Sequence, residues 1–245
     1  MADITRRERL RAETEREIRQ RARALLIEHG REAVTLRAIA RELGITAPAL
    51  YRYYDSREHL LRQVCDDICA DMAEGLAKDL SQLPEEDTLG RVFAVCRGFR
   101  RWALAHPEEF ALVFASPKPA LGFNPCDAVP PIRDQFGNIF MTVAGRVLST
   151  HKLATPAEQD VPKELHDDLL VFRDALLETL ASNGIAVSTE VLDLGTVYFM
   201  LRFWIRLYGQ VALEVFGRSP LTTASLEPMF ELMLRELATE VGLLT

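Results

Sequence analysis

The sequence predicts an all-α protein of about nine to ten helices, with a three-helix head that contains a helix-turn-helix and a larger helical body. Apolar residues recur at helical spacing along most of the chain. Hydrophobic residues make up 48% of the 245 residues, while glycine and proline number 13 and 12, which suits compact helices better than a disordered chain. Near residue 44 two short helical patterns meet at one glycine, which predicts a sharp corner between two helices.

The first predicted helix spans about residues 6 to 29, and Gly30 is placed to end it. Its core face is formed by Ile18, Ala22, Leu25 and Leu26. Its first turns carry four arginines, at positions 6, 7, 9 and 11. These arginines fit a basic arm near phosphates, and equally a solvated helix end with alternating charges, so both interpretations stay open.

The second predicted helix leads into the corner. Its buried face is formed by the residues at i, i+3, i+4 and i+7, namely Leu36, Ile39, Ala40 and Leu43. Arg37, Arg41 and Glu42 are expected in solvent. Gly44 ends the helix, because glycine adopts a positive φ without a steric penalty, and Ile45 is expected to fill the corner.

The third predicted helix begins near Ala47. Thr46 can accept a hydrogen bond from the amides of its first turn, and Pro48 is tolerated there because its missing N–H has no partner to lose. Leu50 and Tyr53 are expected to point back toward the preceding helix. The outward residues, which would meet a major groove, are Ala47, Pro48, Ala49, Tyr51 and Arg52.

The order of residues 33 to 61, AVTLRAIARELGITAPALYRYYDSREHLL, resembles the N-terminal domain of the TetR family of bacterial transcriptional regulators. The similarity lies in the glycine corner, the Leu50-Tyr51 pair, the aromatic Tyr53-Tyr54 end and the helix that follows at once. The resemblance implies a homodimer that binds a palindromic operator in double-stranded DNA. It further implies a repressor, and the aromatic residues of the body predict that a small apolar effector releases it from the operator.

The resemblance also implies which side chains contact DNA. Base reading is assigned by position to Arg37, Ala47, Pro48, Ala49, Tyr51 and Arg52. Arg37 is the expected guanine contact, because a bidentate arginine contributes about 1–3 kcal/mol of discrimination, more than small residues offer. Phosphate binding is assigned to Thr35, Thr46, Tyr53 and Arg57. Core packing of Tyr51 and Tyr53, and a solvated charge at Arg52, are the alternatives.

The formal net charge of −7 is unevenly distributed. Residues 1 to 64 hold 14 Arg and no Lys against 10 acidic residues, or +4, and the remainder holds 15 basic against 26 acidic residues, or −11. A basic head on an acidic body is typical of a DNA-binding protein. The charged N-terminus and the lack of a run of about 18 apolar residues predict a cytoplasmic protein with no membrane partner.

The predicted domains are a DNA-binding domain at residues 1–55, a linking helix at 56–82, and an effector-binding and dimerisation domain at 83–245. The linking helix is expected to begin at a capping box of Asp55 and Glu58. Its core stripe is Leu60, Leu61, Val64, Ile68, Met72 and Leu76. Cys65 and Cys69 lie one turn apart on it, which leaves redox sensing open beside the commoner role of core packing.

In the C-terminal domain, helices are expected at about 87–106, 107–115, 129–150, 163–183, 188–217 and 222–241. The stretch from Ser116 to Pro131 is expected to be a loop that could border a pocket. Two segments, residues 99–114 and 203–217, resemble parts of the C-terminal domain of one TetR subgroup. Tyr208 stands where that subgroup usually has histidine.

Two further sets of residues are functional candidates. One set of aromatic residues could line a cavity for an apolar effector, although core packing is the commoner use of such residues. They are Phe93, Phe99, Trp102, Phe110, Phe114, Phe136, Phe140 and Phe199. Two apolar stripes could pair with a second copy of the chain or could form intrachain core instead. The first is Leu165, Leu169, Phe172 and Leu176, and the second is Leu201, Ile205, Tyr208 and Ala212.

Motifs of common enzyme classes are missing from the sequence, which has no GxSxG, phosphate loop, HExxH or paired CxxC. His166, Asp167 and Asp168 could contribute to a metal site, but their pattern is typical of a solvated helix face. We therefore expect a protein that is not an enzyme and needs no cofactor or metal. The alternatives are a helical adaptor or ligand-binding protein without specific DNA binding, and a metal-dependent all-α enzyme.

Overall fold

The computed structural model describes residues 5–115 and 135–244, which form α-helices joined by turns and short 3-10 segments, with no strand among them. This confirms the all-α class. The helices of the described residues are α1 (Arg6–His29), α2 (Leu36–Glu42), α3 (Ala47–Leu50), α4 (Arg57–Leu80), α5 (Thr88–Ala105), α6 (Pro107–Phe114), α7 (Gln135–Thr150), α8 (His166–Ser182), α9 (Leu194–Val215) and α10 (Thr223–Glu240).

The chain divides into two compact units. The head unit holds residues 5–69 and 106–115, and the body unit holds residues 70–105 and 135–244. The division falls inside α4, whereas the sequence suggested boundaries at the two ends of that helix. Helix α6, expected in the C-terminal domain, belongs to the head unit, where its buried Glu109 forms an ion pair with Arg23 of α1.

The predicted core stripes of α1 and α4 are buried. In α1 the buried residues are Ile18, Ala22, Leu25 and Leu26. The six stripe residues of α4 are at most 2% exposed. Helix α1 ends where Gly30 takes a φ of +76° and donates its N–H to the Leu26 carbonyl at 2.8 Å.

The start of α4 differs from the expectation. The N–H of His59 donates to Ser56 Oγ at 3.0 Å, so Ser56 is the capping residue. The predicted capping box of Asp55 and Glu58 is therefore wrong by one position.

Two helices of the body unit begin later than predicted. Helix α9 begins at Leu194 because Asp193 caps it by accepting the Thr196 N–H at 2.8 Å. Helix α8 follows a 3-10 turn over Lys163–Leu165. The predicted loop from Ser116 to Pro131, and the first residues of the helix expected at 129–150, lie outside the described residues.

Helix α8 lies in the core of the body unit, packed on α7 and α9. Leu169 and Leu176 are 2% and 1% exposed and belong to one buried cluster with residues such as Met141 and Val197. The prediction that these two leucines contact a second copy is wrong, because intrachain packing already covers them. Leu165, Phe172 and Leu201 pack against the same cluster, as the intrachain alternative requires.

Candidate nucleic-acid interface

Helices α2 and α3 form a tight corner at Gly44. This glycine has a φ of +66°, and the N–H of Ile45 donates to the Ala40 carbonyl at 3.0 Å. A Cβ added to Gly44 would meet nothing within 4 Å. Glycine is therefore required by the backbone conformation alone, and it sets the direction in which α3 leaves α2.

The threonines before the two helices are used differently. Thr35 caps α2, since its Oγ1 accepts the Ala38 N–H at 3.1 Å. Thr46 has the extended backbone of a capping residue, but its side chain makes no cap hydrogen bond, contrary to the prediction. Its exposed hydroxyl is therefore able to donate to a group outside the protein.

Leu50 and Tyr54 close the inner side of the corner. They are 0% and 1% exposed, whereas Tyr53, predicted to point inward, is only half-buried. The Tyr54 hydroxyl donates to Gln63 Oε1 at 3.2 Å, and burial raises its pKa. The prediction missed by one residue because α3 ends at Leu50 and the chain continues in turns, which breaks the helical spacing.

The predicted base-reading residues lie on the outer side of the corner. Those exposed are Arg37, Pro48, Tyr51 and Arg52, and those half-buried are Ala47 and Ala49. Tyr51 is 50% exposed, so it does not complete the core. Among the described residues, Arg37 and Arg52 have no ion-pair partner. Their guanidinium groups are thus available to an external acceptor.

A shallow groove brings four of the predicted contact residues together. It is lined by Thr35, Arg37, Tyr51 and Arg57, with Leu36, Asp55 and Ser56 completing the wall. Two arginines and several hydroxyl groups lie on one concave surface. These groups can donate hydrogen bonds to phosphate oxygens and to acceptor atoms of base edges.

Arg57 is partly used within the protein. Its Nε donates to the Val34 carbonyl at 2.7 Å and its Nη2 to the Arg31 carbonyl at 2.6 Å. These bonds hold the turn before α2 against the start of α4. The Nη2 atom also lies 3.9 Å from Glu32 Oε2, so the N–H groups of Nη1 are the ones left for contact with a phosphate. Backbone acceptors of this kind have no sequence signature, so this role was not predicted.

A further neighbour of the corner was also not assigned from the sequence. The guanidinium of Arg11 lies 5.8 Å from the centroid of the Tyr53 ring, and its Nε donates to Glu15 at 2.9 Å. The sequence signal for this part of α1 was its run of arginines, which predicted a basic arm near phosphates but not the contact with Tyr53.

Two family models match the chain. The one described as "Bacterial regulatory proteins, tetR family" matches residues 18–64, and "Tetracyclin repressor-like, C-terminal domain" matches residues 92–237. The chain belongs to the TetR family. It is therefore a helix-turn-helix transcriptional regulator and not an enzyme.

Proteins similar to this chain are also described as regulators. HTH-type transcriptional regulator Rv1816 of Mycobacterium tuberculosis is 28% identical over 208 residues, which cover 85% of this chain and 83% of the relative. The crystal structure of SCO4313 is 25% identical with a TM-score of 0.63, covering 96% of this chain and 100% of that one. A TetR family transcription regulator from Marinobacter aquaeolei VT8, 17% identical with a TM-score of 0.51 over 95% of this chain and 98% of that one, shares the fold.

In the body unit of this TetR-family regulator, aromatic side chains pack on one another. Ring centroids lie 5.2 Å apart for Phe99 and Phe136 and 4.8 Å apart for Phe136 and Phe140. Trp204, which was not in the predicted set, lies 5.8 Å from Phe99 and stacks on Tyr208 at 5.8 Å. We call these five residues the aromatic cluster. Their packing accounts for the rings as core, so an effector pocket stays a prediction.

The other predicted pocket residues have contacts of their own. Phe110 and Phe114 belong to the head unit, where their centroids are 5.1 Å apart. In the body unit, Phe93 lies under the guanidinium of Arg97 at 5.3 Å, and Phe199 packs on Phe203. Trp102 is half-buried.

Exposed apolar residues gather on α9 and α10. Ile205 and Leu213 on α9, and Phe216 directly after it, are 57%, 48% and 43% exposed. On α10, Met229 and Leu232 are 47% and 52% exposed. We call these five residues the α9/α10 apolar face. Of the dimer residues predicted on α9, Ile205 lies on this face, Ala212 is half-buried, and Tyr208 stacks within the aromatic cluster.

Other candidate chemistry finds little support in the described ranges. They contain no helix long and apolar enough to cross a membrane, and no group of three side chains that could hold a metal ion. His166 Nε2 lies 3.1 Å from the Val161 carbonyl.

Burial raises the pKa of Cys65 and of Cys96 to about 12, which keeps both thiols protonated near neutral pH. Cys126 lies outside the described residues.

Proposed function

We propose that this regulator is a dimeric repressor that reads a palindromic operator through the corner of α2 and α3 and leaves it when a small apolar effector binds the body unit. The observation that carries the proposal is that Arg37 and Tyr51 are both exposed and both line the groove on the outer side of the corner. An arginine without an internal partner has the fork geometry for the two acceptors of guanine.

The remaining side chains of the corner complete this reading. Tyr51 and Arg52 add donors beside Arg37, and Ala47 and Ala49 can make only apolar contacts, for instance with thymine methyl groups. Phosphate contacts fall to Thr35, Thr46, Tyr53 and the free N–H groups of Arg57, and they fix the register of the corner on the duplex.

A second copy of the chain is needed because one corner covers only one half-site. The α9/α10 apolar face is the surface we propose for this contact. Ile205, Leu213 and Phe216, which directly follows α9, stand at i, i+8 and i+11, the spacing of a single helical face, and each is at least 43% exposed.

The operator can be identified by selecting bound DNA from a random pool with the full chain. We expect a palindrome whose half-sites lie about one helical turn apart, bound with a strong dependence on salt. Recovery of no preferred sequence would favour the alternative of a helical protein without specific DNA binding.

The dimer can be tested by analytical ultracentrifugation of the double variant Ile205→Glu/Leu232→Glu. We expect a monomer that has lost most of its operator affinity, since charges on a buried apolar interface are costly. Val171→Glu is the matched control, because Val171 is 46% exposed on α8 and lies outside the proposed contact. A double variant that remains dimeric would contradict the proposed interface.

The effector can be sought with the fluorescence of Trp204. In a Trp102→Phe background Trp204 is the remaining tryptophan of the two in the chain, and it packs within the aromatic cluster. An apolar compound that shifts its emission and releases the operator over the same concentration range supports the proposal. Release with unchanged emission would place the effector elsewhere.

A further inference from the structure

The first turns of α1 extend beyond the core of the head unit. Residues 5–13 are all exposed, and the first buried residue of the helix is Ile18. At 1.5 Å per residue, residues 6–13, which we call the N-terminal arm, are about 12 Å long. Burial contributes little to the arm, so the hydrophobic core does not explain its sequence.

Local interactions keep the arm helical. Thr5 and Glu8 form a capping box, in which the Thr5 N–H donates to Glu8 Oε2 at 2.8 Å and the Glu8 N–H donates to Thr5 Oγ1 at 3.3 Å. Arg11 pairs with Glu15 one turn later. Arg6, Arg7 and Arg9 have no ion-pair partner among the described residues. The arm thus presents three exposed cations on an ordered helix.

The position of the arm follows from two contacts within the head unit. Arg11 lies over the ring of Tyr53, just after α3, and the Tyr54 hydroxyl is 3.4 Å from the Glu15 carbonyl. These contacts join α1 to the end of the corner that carries the base-reading residues. Arg6 lies about 7.5 Å further along the same helix than Arg11.

We propose that Arg6, Arg7 and Arg9 bind backbone phosphates of the duplex that flanks the base pairs read at the corner. This rests on the proposed DNA reading by the corner. An arm of about 12 Å spans between three and four base pairs, at about 3.4 Å for each pair. The capping box uses only the N–H groups of Thr5 and Glu8. The phosphate contacts are made by the exposed guanidinium groups, because these pair well with phosphate oxygens.

The test compares the full chain with its Arg6→Ala/Arg7→Ala/Arg9→Ala variant on two duplexes. One duplex is trimmed to the selected operator, and the other extends it by about four base pairs at each end. Alanine preserves the helix. We expect the wild type to bind the extended duplex roughly ten-fold or more tightly than the trimmed one, and the variant to bind both equally, with a salt slope smaller by about 1 for each arginine lost.

The matched control is Lys78→Ala/Lys152→Ala/Lys163→Ala, which removes the same charge from exposed sites of the body unit and should bind as the wild type does. Equal affinity and salt slope for the wild type and the arm variant on the extended duplex would overturn the proposal. If the wild type selects no sequence, the corner proposal fails instead. The arm proposal is then tested on duplex of random sequence, where the arm variant should again show a smaller salt slope than the wild type. An unchanged salt slope would overturn the arm proposal.

Discussion

The head and body units differ in how fully their arginines are paired. In the body unit, acidic side chains of the chain itself form ion pairs with Arg97, Arg100, Arg101, Arg146, Arg173, Arg202 and Arg206. In the head unit, exposed arginines without an ion-pair partner in the described ranges include Arg6, Arg7, Arg9, Arg37, Arg41 and Arg52. The head unit also contains arginine ion pairs, such as Arg19 with Asp67 and Arg23 with Glu109, but it leaves this further set of arginines free for an external anion.

The distribution of acidic residues explains this difference. Past residue 64 the chain has 26 acidic residues for 15 basic ones, so most body arginines find a partner nearby. The first 64 residues, which form most of the head unit, have 10 acidic residues for 14 arginines, and the rest of that unit, residues 65–69 and 106–115, adds four acidic residues. The net charge of −7 therefore says little about DNA binding, whereas the local excess of unpaired cations says much.

The largest expected effect comes from removing a paired arginine of the body. Arg100→Met leaves Glu214, whose side chain is 1% exposed, without the guanidinium that lies 2.8 Å away. We expect the free energy of unfolding to fall by about 3–5 kcal/mol, because an unpaired buried charge is costly. Urea denaturation measures this, with Arg37→Met as the matched head variant, expected to change the value by less than about 0.5 kcal/mol.

A second body variant separates charge burial from packing. Replacing both partners, Arg100→Met/Glu214→Leu, removes the unpaired charge and should restore most of the lost free energy of unfolding. If the double variant is as unstable as Arg100→Met, the arginine matters through its packing over the Phe230 ring, 5.1 Å away, and the ion pair does not decide the stability.

The next effect concerns a free arginine of the head. Arg37→Ala should remove about 1–3 kcal/mol of discrimination at one base pair of each half-site, because the bidentate contact with guanine is lost. Fluorescence anisotropy on operators carrying each base at that pair measures this. Arg41→Ala, one turn along on α2, should weaken binding equally for all four bases. An equal loss for all bases in Arg37→Ala as well would make Arg37 a phosphate contact.

Helical spacing identified most of the head from sequence. The stripes of α1 and α4, the buried face of α2 and the glycine corner follow from local patterns, which act within one or two turns of chain. Tyr53 was misplaced because the same spacing was extended past Leu50, where α3 ends. Arg57 was assigned to phosphates alone because its acceptors, two backbone carbonyls, leave no trace in the sequence.

In the body, spacing shows that a helix face is buried but not what buries it. Leu169 and Leu176 form an apolar stripe that suits a dimer contact or an intrachain core equally well, and only packing on α7 and α9 distinguishes the two. Trp204 was missed for the same reason. Its neighbours Phe99 and Phe136 are distant in sequence, so the aromatic cluster is visible only after folding.

The smallest expected effect compares one glycine from each unit. Neither Gly44 nor Gly75 would bring a Cβ within 4 Å of another group, so packing does not separate them. Gly44 has a φ of +66°, and alanine there should lower the free energy of unfolding by about 1–2 kcal/mol. Gly75 lies inside α4, where alanine should raise it by about 0.5–1 kcal/mol. Urea denaturation of both variants measures the two signs. A loss of stability in Gly75→Ala would mean that a partner, and not open solvent, covers that face of α4.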